Sequence, residues 1–430
     1  MMDIQNMDFT IERLGECHFP SPMARGQFTG DGERILYHVT LKELMTYLDA
    51  GNEPPALELA GPREKIFFDP PKLACGIVTC GGLCPGINNV IRAVTLSLHH
   101  HYGVRRIYGF RYGYEGVVKR LGNAPLILTP ELVDCIGESG GTILASSRGP
   151  QDPVEMVDYL EELGIGILFA IGGDGTLKGA QKISEEAARR GRSISVIGIP
   201  KTIDNDISFL KNTFGFETAV NEAHHAIYSA HTEATGARNG IGLVKLMGRD
   251  SGFIAADSTL VNSQVNFCLV PESPFTMKGF LRSLEQRVKE RGHAVIVVAE
   301  GAGQELMART QACDASGNAK LGDIGIHLRD AIREYFASTG MEINLKYIDP
   351  SYIIRSQPAN SHDSAFCLLL GHSAVHAGMS GRTGMVVGFW NHRFTHVPLA
   401  MATGRRKKID PEGRLWNNVL ASTGQPRDMR

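Results

Sequence analysis

Cysteine is sparse and scattered in this 430-residue chain. The 8 thiols are Cys17, Cys75, Cys80, Cys84, Cys135, Cys268, Cys313 and Cys367. No second pair stands at zinc-ligand spacing from Cys80 and Cys84, which argues against a zinc site. Several of the others lie in apolar runs, as buried thiols do. Charge of either sign is also short: the net value is −2, so no basic field is available to a nucleic acid. The run Arg405-Arg-Lys-Lys408 is the one basic cluster, and short runs of this kind are usually solvated loops. No stretch reaches about 18 apolar residues and no secretory apolar segment opens the chain. The expectation is a cytosolic enzyme with no membrane partner. No Gly-Lys dipeptide occurs anywhere, which excludes a P-loop. There is no repeat of solenoid period and no low-complexity tract.

What is present is enough for two or more globular domains: 43% hydrophobic and 21% charged residues. The 49 glycines fall in tight turns after strand-like runs. Residues 1–72 are weakly patterned, with a short helix expected at Leu41 to Leu48. They read as an N-terminal extension packed on the body or on a partner subunit. From Leu73 the pattern alternates. Strands are expected at Leu73 to Cys80, Arg105 to Phe110, Gly166 to Ile171 and Ile194 to Ile199. Helices are expected at Ile87 to His100, Val154 to Leu163 and about Leu177 to Gly191. A second series follows, with strands at Gly240 to Leu246, Val265 to Val270, Ala294 to Ala299 and Leu345 to Ile348. Its helices are Glu217 to His231, Lys278 to Arg291, Ile324 to Ser338 and Asp363 to Gly378. Such alternation predicts an α/β protein of two doubly wound Rossmann-like domains with parallel sheets.

The polar residues gather where such sheets bind ligands, beyond the carboxyl ends of the strands. After Ile171 comes Gly-Gly-Asp-Gly-Thr176. Its glycines let the backbone approach a bulky anion, and the helix that follows turns its amides toward the same place. Asp174 there suits a Mg²⁺ ion that bridges phosphates, or a helix cap. After Pro200 comes Lys-Thr-Ile-Asp-Asn-Asp206. Asp204 and Asp206 alternate, so in an extended segment both face one side: one base and one metal or positioning group. Gly81-Gly-Leu-Cys-Pro-Gly86 is a third turn of the same kind, and Gly140 to Arg148 is a polar loop ending in a cation. Met247-Gly-Arg249, Glu300-Gly, Lys346 and Tyr352-Ile-Ile-Arg355 offer cations for an anionic substrate and a carboxylate for sugar hydroxyls.

In this order, GGLCPG, GGDGT, PKTIDND, MGR, AEG and YIIR resemble the motifs of 6-phosphofructokinases, from about Leu73 to the C-terminus. The longer segments MGRDSGFIA and PESPF are similar to the plant and trypanosomatid ATP-dependent branch, which lies close to pyrophosphate-dependent enzymes. The resemblance implies an allosteric, homo-oligomeric (dimeric or tetrameric) enzyme that uses Mg²⁺ and ATP on fructose 6-phosphate. Residues 73–216, completed by about 354–404, would bind nucleotide phosphates. Residues 217–353, completed by about 405–430, would bind the sugar phosphate, with the active site in the cleft. Asp204 would be the base that takes the proton of the sugar 1-hydroxyl. Asp174 and Asp206 would hold Mg²⁺. Thr202 would lie near the transferred group and Arg249 would stabilise its charge. Gly82, Arg148, Gly173, Gly175, Thr176 and Gly179 would line the nucleotide phosphates, with Lys201 beside the donor. Met247, Gly248, Glu300, Lys346, Tyr352 and Arg355 would hold fructose 6-phosphate, together with Thr202, Asp204 and Arg249.

Three positions depart from the short bacterial pattern. Gly240, after Arg238 and Asn239, replaces an arginine that reaches a neighbouring subunit. Lys346 and Tyr352 replace an arginine and a histidine on the 6-phosphate. Arg111 replaces an aromatic residue against adenine. Donor choice is contested inside the sequence. Gly175 leaves room for the ATP α-phosphate where pyrophosphate enzymes carry aspartate, whereas Lys201 is their lysine. ATP is the expected donor. Pyrophosphate is the first alternative, then another GGDGT kinase acting on NAD or lipid, then a non-catalytic paralogue that binds sugar phosphate.

Overall fold

The computed structural model describes residues 7–23, 28–308 and 320–430. Cys313 lies outside the described residues. The chain divides into two compact units. The first comprises the residues up to Thr202, Ile207–Phe214 and Pro358–Arg405; the second comprises Ile203–Asp206, Gly215–Gln357 and Arg406–Arg430.

The first unit is built on a nine-stranded sheet. From one edge its strands run Arg34–Leu36, Ala56–Leu59, Arg393–Pro398, Met385–Trp390, Ser195–Pro200, Ile165–Gly172, Ala74–Thr79, Arg106–Phe110 and Leu126–Ile127. The inner strands from Met385–Trp390 to Arg106–Phe110 are parallel. Those outside them pair antiparallel, so the sheet is mixed and not uniformly parallel. The inner strands are largely apolar, and Ile165–Gly172 wholly so, because both faces are covered. Leu168 and Ala170 pack with the core of Pro153–Glu162 and Asp174–Arg189. Ile167 and Phe169, pointing the other way, lie against Gly378 of helix Ser361–Met379.

The N-terminal residues are part of this sheet. Glu58 pairs with His396 across the strands Ala56–Leu59 and Arg393–Pro398. Its buried carboxylate accepts from His396 Nδ1 at 2.8 Å and from Arg382, a guanidinium only 1% exposed. Arg382 also donates to Asp31 at 2.9 Å. Burial opposes ionisation of Glu58, but His396 and Arg382 outweigh it and hold the carboxyl far below its ordinary value.

The second unit carries a four-stranded sheet, Phe267–Leu269, His293–Ala299, Gly240–Leu246 and Asn344–Ile348, all parallel. Helices Met277–Arg291 and Ile324–Thr339 cover one face through Phe280, Leu284, Leu328, Ile332 and Phe336. Helix Phe216–Thr235 packs so closely on Gly240–Leu246 that a Cβ at Gly240 would stand 2.0 Å from the Ala234 carbonyl. No arginine fits there, which accounts physically for the glycine at that place.

The expected helices and strands are found with shifted ends. Helix Ile87–Leu96 closes in a π-turn, Ser97–His101. The hairpin Met385–Trp390/Arg393–Pro398 had no counterpart in the sequence reading. Among the described residues, no helix is long and apolar enough to cross a membrane.

Candidate active site

In the first unit three turns, two of them rich in glycine, meet at the carboxyl ends of Ala74–Thr79, Ile165–Gly172 and Ser195–Pro200. Hydrogen bonds tie them together. The Lys201 amide donates to the Gly172 carbonyl at 2.9 Å, and the Lys201 ammonium, 5% exposed, donates to the Gly82 carbonyl at 2.6 Å. Gly81 donates its amide to Ser147 at 3.0 Å, and Ser146 Oγ donates back to the Gly81 carbonyl at 2.7 Å. Exposed Arg148 is therefore presented by a loop pinned to the strand end. Gly86 needs its glycine twice over: φ is +96°, and a Cβ would lie 2.7 Å from Cys367 Sγ.

Helix Asp174–Arg189 begins three residues earlier than expected, with Gly173 as its cap residue. Asp174 thus stands in the first turn and is not the cap. Its carboxylate receives Lys178, one turn on, at 2.9 Å. The amides of Thr176 and Leu177 both turn to the Gly173 carbonyl, at 2.9 and 3.0 Å. Gly175 is exposed, with nothing within 4 Å of where a Cβ would stand. Gly179 is different. Its missing side chain is filled by Tyr114, whose ring would be 2.5 Å from a Cβ and whose hydroxyl donates to the Thr176 carbonyl at 2.6 Å. Thr202 closes this group, its carbonyl accepting from Thr213 Oγ1 at 2.7 Å. Arg111 stacks on Tyr112, with its guanidinium carbon 5.0 Å from the ring centre.

The chain enters the second unit at Ile203. Here the extended-segment argument fails. Asn205 has φ +53°, in the left-handed region, so Asp204 and Asp206 flank a turn and do not alternate along a strand. Asparagine tolerates that conformation better than most residues. The run Arg405–Lys408 is not a solvated loop either. Arg406 Nη1 lies 2.8 Å from Asp250 Oδ2 and 3.3 Å from Asp206 Oδ2. The Lys407 amide donates to the Asp206 carbonyl at 2.7 Å, and its ammonium donates to Asn205 Oδ1 at 3.1 Å. Burial pushes that ammonium down to about 7, against the pull of Asp206 and Asp257. Buried Asp206 and part-exposed Asp250 draw Arg406 in, and Asn205 Oδ1 and the Asp206 carbonyl draw Lys407 in, so these two members of the run fold inward. Ser251 Oγ donates to the Asp204 carbonyl at 3.2 Å.

Met247, Gly248 and Arg249 follow strand Gly240–Leu246. Gly248 has φ +117°, and a Cβ on Gly301 would meet the Arg249 carbonyl at 1.8 Å, so both glycines are sterically required. Burial pushes the Glu300 carboxyl up, against the pull of Lys245, Arg249 and Arg355. Lys245, which the sequence reading did not single out, pairs with Asp349 at 2.8 Å and Asp323 at 3.1 Å. Its only signal was a lysine interrupting an apolar strand. Tyr352 is 75% exposed and Arg355 stacks over it at 4.9 Å. Lys346 is not brought to this group. It lies in mid-strand, level with Gly242, 3.9 Å from Glu233.

Among the described residues, no three His, Cys, Asp or Glu side chains converge as a metal site. Mg²⁺ takes one or two carboxylates and completes its shell with phosphates and water. Half-buried Asp174, paired with surface Lys178 at 2.9 Å, carries a carboxylate of the kind such an ion takes.

The phosphofructokinase profile matches residues 74–378. The chain belongs to the phosphofructokinase family. Curated relatives are similar over nearly the whole length. An ATP-dependent 6-phosphofructokinase of Borreliella burgdorferi is 48% identical, covering 99% of this chain and 98% of that one. The enzyme of the same name from Amycolatopsis methanolica is 46% identical over 98% and 95%. That of Trypanosoma brucei brucei is 45% identical over 97% and 87%. Among solved structures, the pyrophosphate-dependent phosphofructokinase of Marinobacter aquaeolei matches with TM-score 0.67 at 20% identity, covering 83% of this chain and 96% of that one. Pichia pastoris phosphofructokinase matches with TM-score 0.64 at 21% identity, covering 83% and 37%. At such identities these two establish the phosphofructokinase fold alone.

Proposed function

We propose that this phosphofructokinase transfers the γ-phosphoryl group of ATP to the 1-hydroxyl of fructose 6-phosphate, giving fructose 1,6-bisphosphate and ADP. The observation that carries the donor choice is Gly175, open and uncharged in the first turn of a helix whose amides suit phosphate. The names of the relatives at 45–48% identity support the same reading. Gly82, Arg148, Gly173, Gly175 and Thr176 line the nucleotide phosphates. Asp174 and Asp206 would hold Mg²⁺, which would supply charge neutralisation at the phosphates. Asp204 accepts the 1-hydroxyl proton as that oxygen attacks the γ-phosphorus. Thr202 and Arg249 bind the charge on the group in transit. Met247, Gly248, Glu300, Tyr352 and Arg355 hold the sugar phosphate. Phosphoryl transfer asks little more of a protein than positioning and charge neutralisation.

Lys201 favours a second reading, pyrophosphate as donor. Its ammonium is already engaged with the Gly82 carbonyl, so it offers a donor less than an unengaged cation would. The working form is a homo-oligomer of two or four chains in the cytosol. The test is the initial rate of fructose 1,6-bisphosphate formation with ATP and with pyrophosphate as rival donors. ATP should support turnover. Turnover on pyrophosphate alone would overturn the donor assignment, and none on either would overturn the reaction.

A further inference from the structure

We propose that Arg406 and Lys407 are positioning residues, a C-terminal strap that holds the Asp204–Asp206 turn and the Arg249 loop in register for the chemistry. The proposal rests on the reading of Asp204 as base and Arg249 as the cation on the transferred group.

The strap touches both loops. One nitrogen of Arg406 bridges two carboxylates, Asp206 in the turn and Asp250 beside Arg249. Without it, two like charges would face each other and push the loops apart. Lys407 holds the turn twice, from its amide to the Asp206 carbonyl and from its ammonium to Asn205 Oδ1. The second bond fixes the side chain of the residue whose left-handed backbone sets the direction of Asp204 and Asp206. The ammonium also sits 5.0 Å over the Phe253 ring, in the first turn of helix Phe253–Val261, which follows the Arg249 loop. Two residues on, the Ile409 amide donates to Glu272 Oε1 at 3.0 Å, and Glu272 accepts the Gly252 amide at 3.1 Å. The strap is thus anchored at both ends of the 249–252 loop. Neighbouring Arg405 and Lys408 are exposed, so inward anchoring singles out these two members of the run. A base and a transition-state cation on separate loops lose rate steeply when either moves by about 1 Å.

The test is steady-state kinetics on the full-length enzyme carrying Arg406→Met, Arg406→Lys, Lys407→Met and Lys408→Ala. Calorimetric titration with fructose 6-phosphate in the absence of nucleotide runs beside it. Arg406→Met and Lys407→Met should lower kcat roughly 10- to 100-fold while KM and Kd for fructose 6-phosphate stay within about threefold. Arg406→Lys should regain at least about threefold of the loss, because one ammonium can bridge both carboxylates. Lys408→Ala should behave as wild type. A kcat within about twofold of wild type in folded Arg406→Met and Lys407→Met would overturn the proposal. So would equal changes in kcat and KM, the mark of general loosening. If the methionine variants do not fold, Arg406→Gln decides: full turnover with a lowered Tm in that uncharged variant would overturn the proposal and reduce the strap to a stabilising role. Asp204→Asn is measured in parallel. Wild-type turnover there would sink the base assignment; a dead Asp204→Asn beside a fully active Arg406→Met would sink the strap alone.

Discussion

The two acid-bearing turns of this phosphofructokinase are built in opposite ways. Asp174 stands in an open helix turn, beside a glycine with empty space around it, and pairs with surface Lys178. Asp206 is 7% exposed, and its side chain and carbonyl are both engaged by the strap. The first turn leaves open space beside its acid; the second is held by an ion pair and a backbone hydrogen bond. Preorganisation is worth having where charge moves, and room is worth having where a triphosphate must enter.

The hardest test of this contrast removes chemistry from the rigid turn. Asp204→Asn should cut kcat roughly 10²- to 10⁴-fold with little change in fructose 6-phosphate KM. Kinetics near wild type would mean that the rigid turn is not where the proton goes. Next, Gly175→Asp fills the open turn with charge. Like charges a few ångströms apart cost about 3 kcal/mol in a partly dry site, so kcat/KM for ATP should fall on the order of 10²-fold. Thermal stability should hold, since nothing crowds that position and an acid suits a helix start. A smaller effect separates the turns by stability. In metal-free thermal melts, Asp206→Asn should cost about 1–3 kcal/mol, a charge-assisted bond lost from a buried site. Asp174→Asn should cost less than about 1 kcal/mol, as exposed pairs do. Equal losses would erase the distinction. The smallest change is Lys178→Ala. Removing that surface partner should shift stability by about 0.2–1 kcal/mol and, if Asp174 serves the metal, leave Mg²⁺ dependence intact. A large rise in the Mg²⁺ requirement would show Lys178 to be part of the site.

Much of the fold could be read from local pattern. Gly240–Leu246 and Ile165–Gly172 announce themselves as apolar runs that end in glycine and charge, because a strand buried on both faces has no polar positions to spare. The turns were legible for a related reason: glycines after such strands have few structural alternatives. What could not be read depended on distant partners. Asn205 adopts its left-handed conformation under a lysine 202 residues away. Arg406 folds inward because acids 200 and 156 residues away wait for it; alone, Arg-Arg-Lys-Lys has every mark of a solvated run. Nothing local reveals that Tyr114 packs where a side chain at Gly179 would stand. Lys346 looked like a sugar-phosphate ligand by order in the chain, yet strand register puts it level with Gly242.

The strands before residue 60 carry a consequence for handling the protein. The family profile starts at residue 74, which invites expression of a shorter fragment from that point. Such a fragment would lose Ala56–Leu59 and expose the backbone of Arg393–Pro398 as a bare sheet edge, open to pairing with another chain. It would also leave Arg382 buried without Glu58 or Asp31, and an uncompensated interior charge is among the most destabilising defects a core can carry. Removing those residues would produce inclusion bodies and fibrils in place of a smaller enzyme.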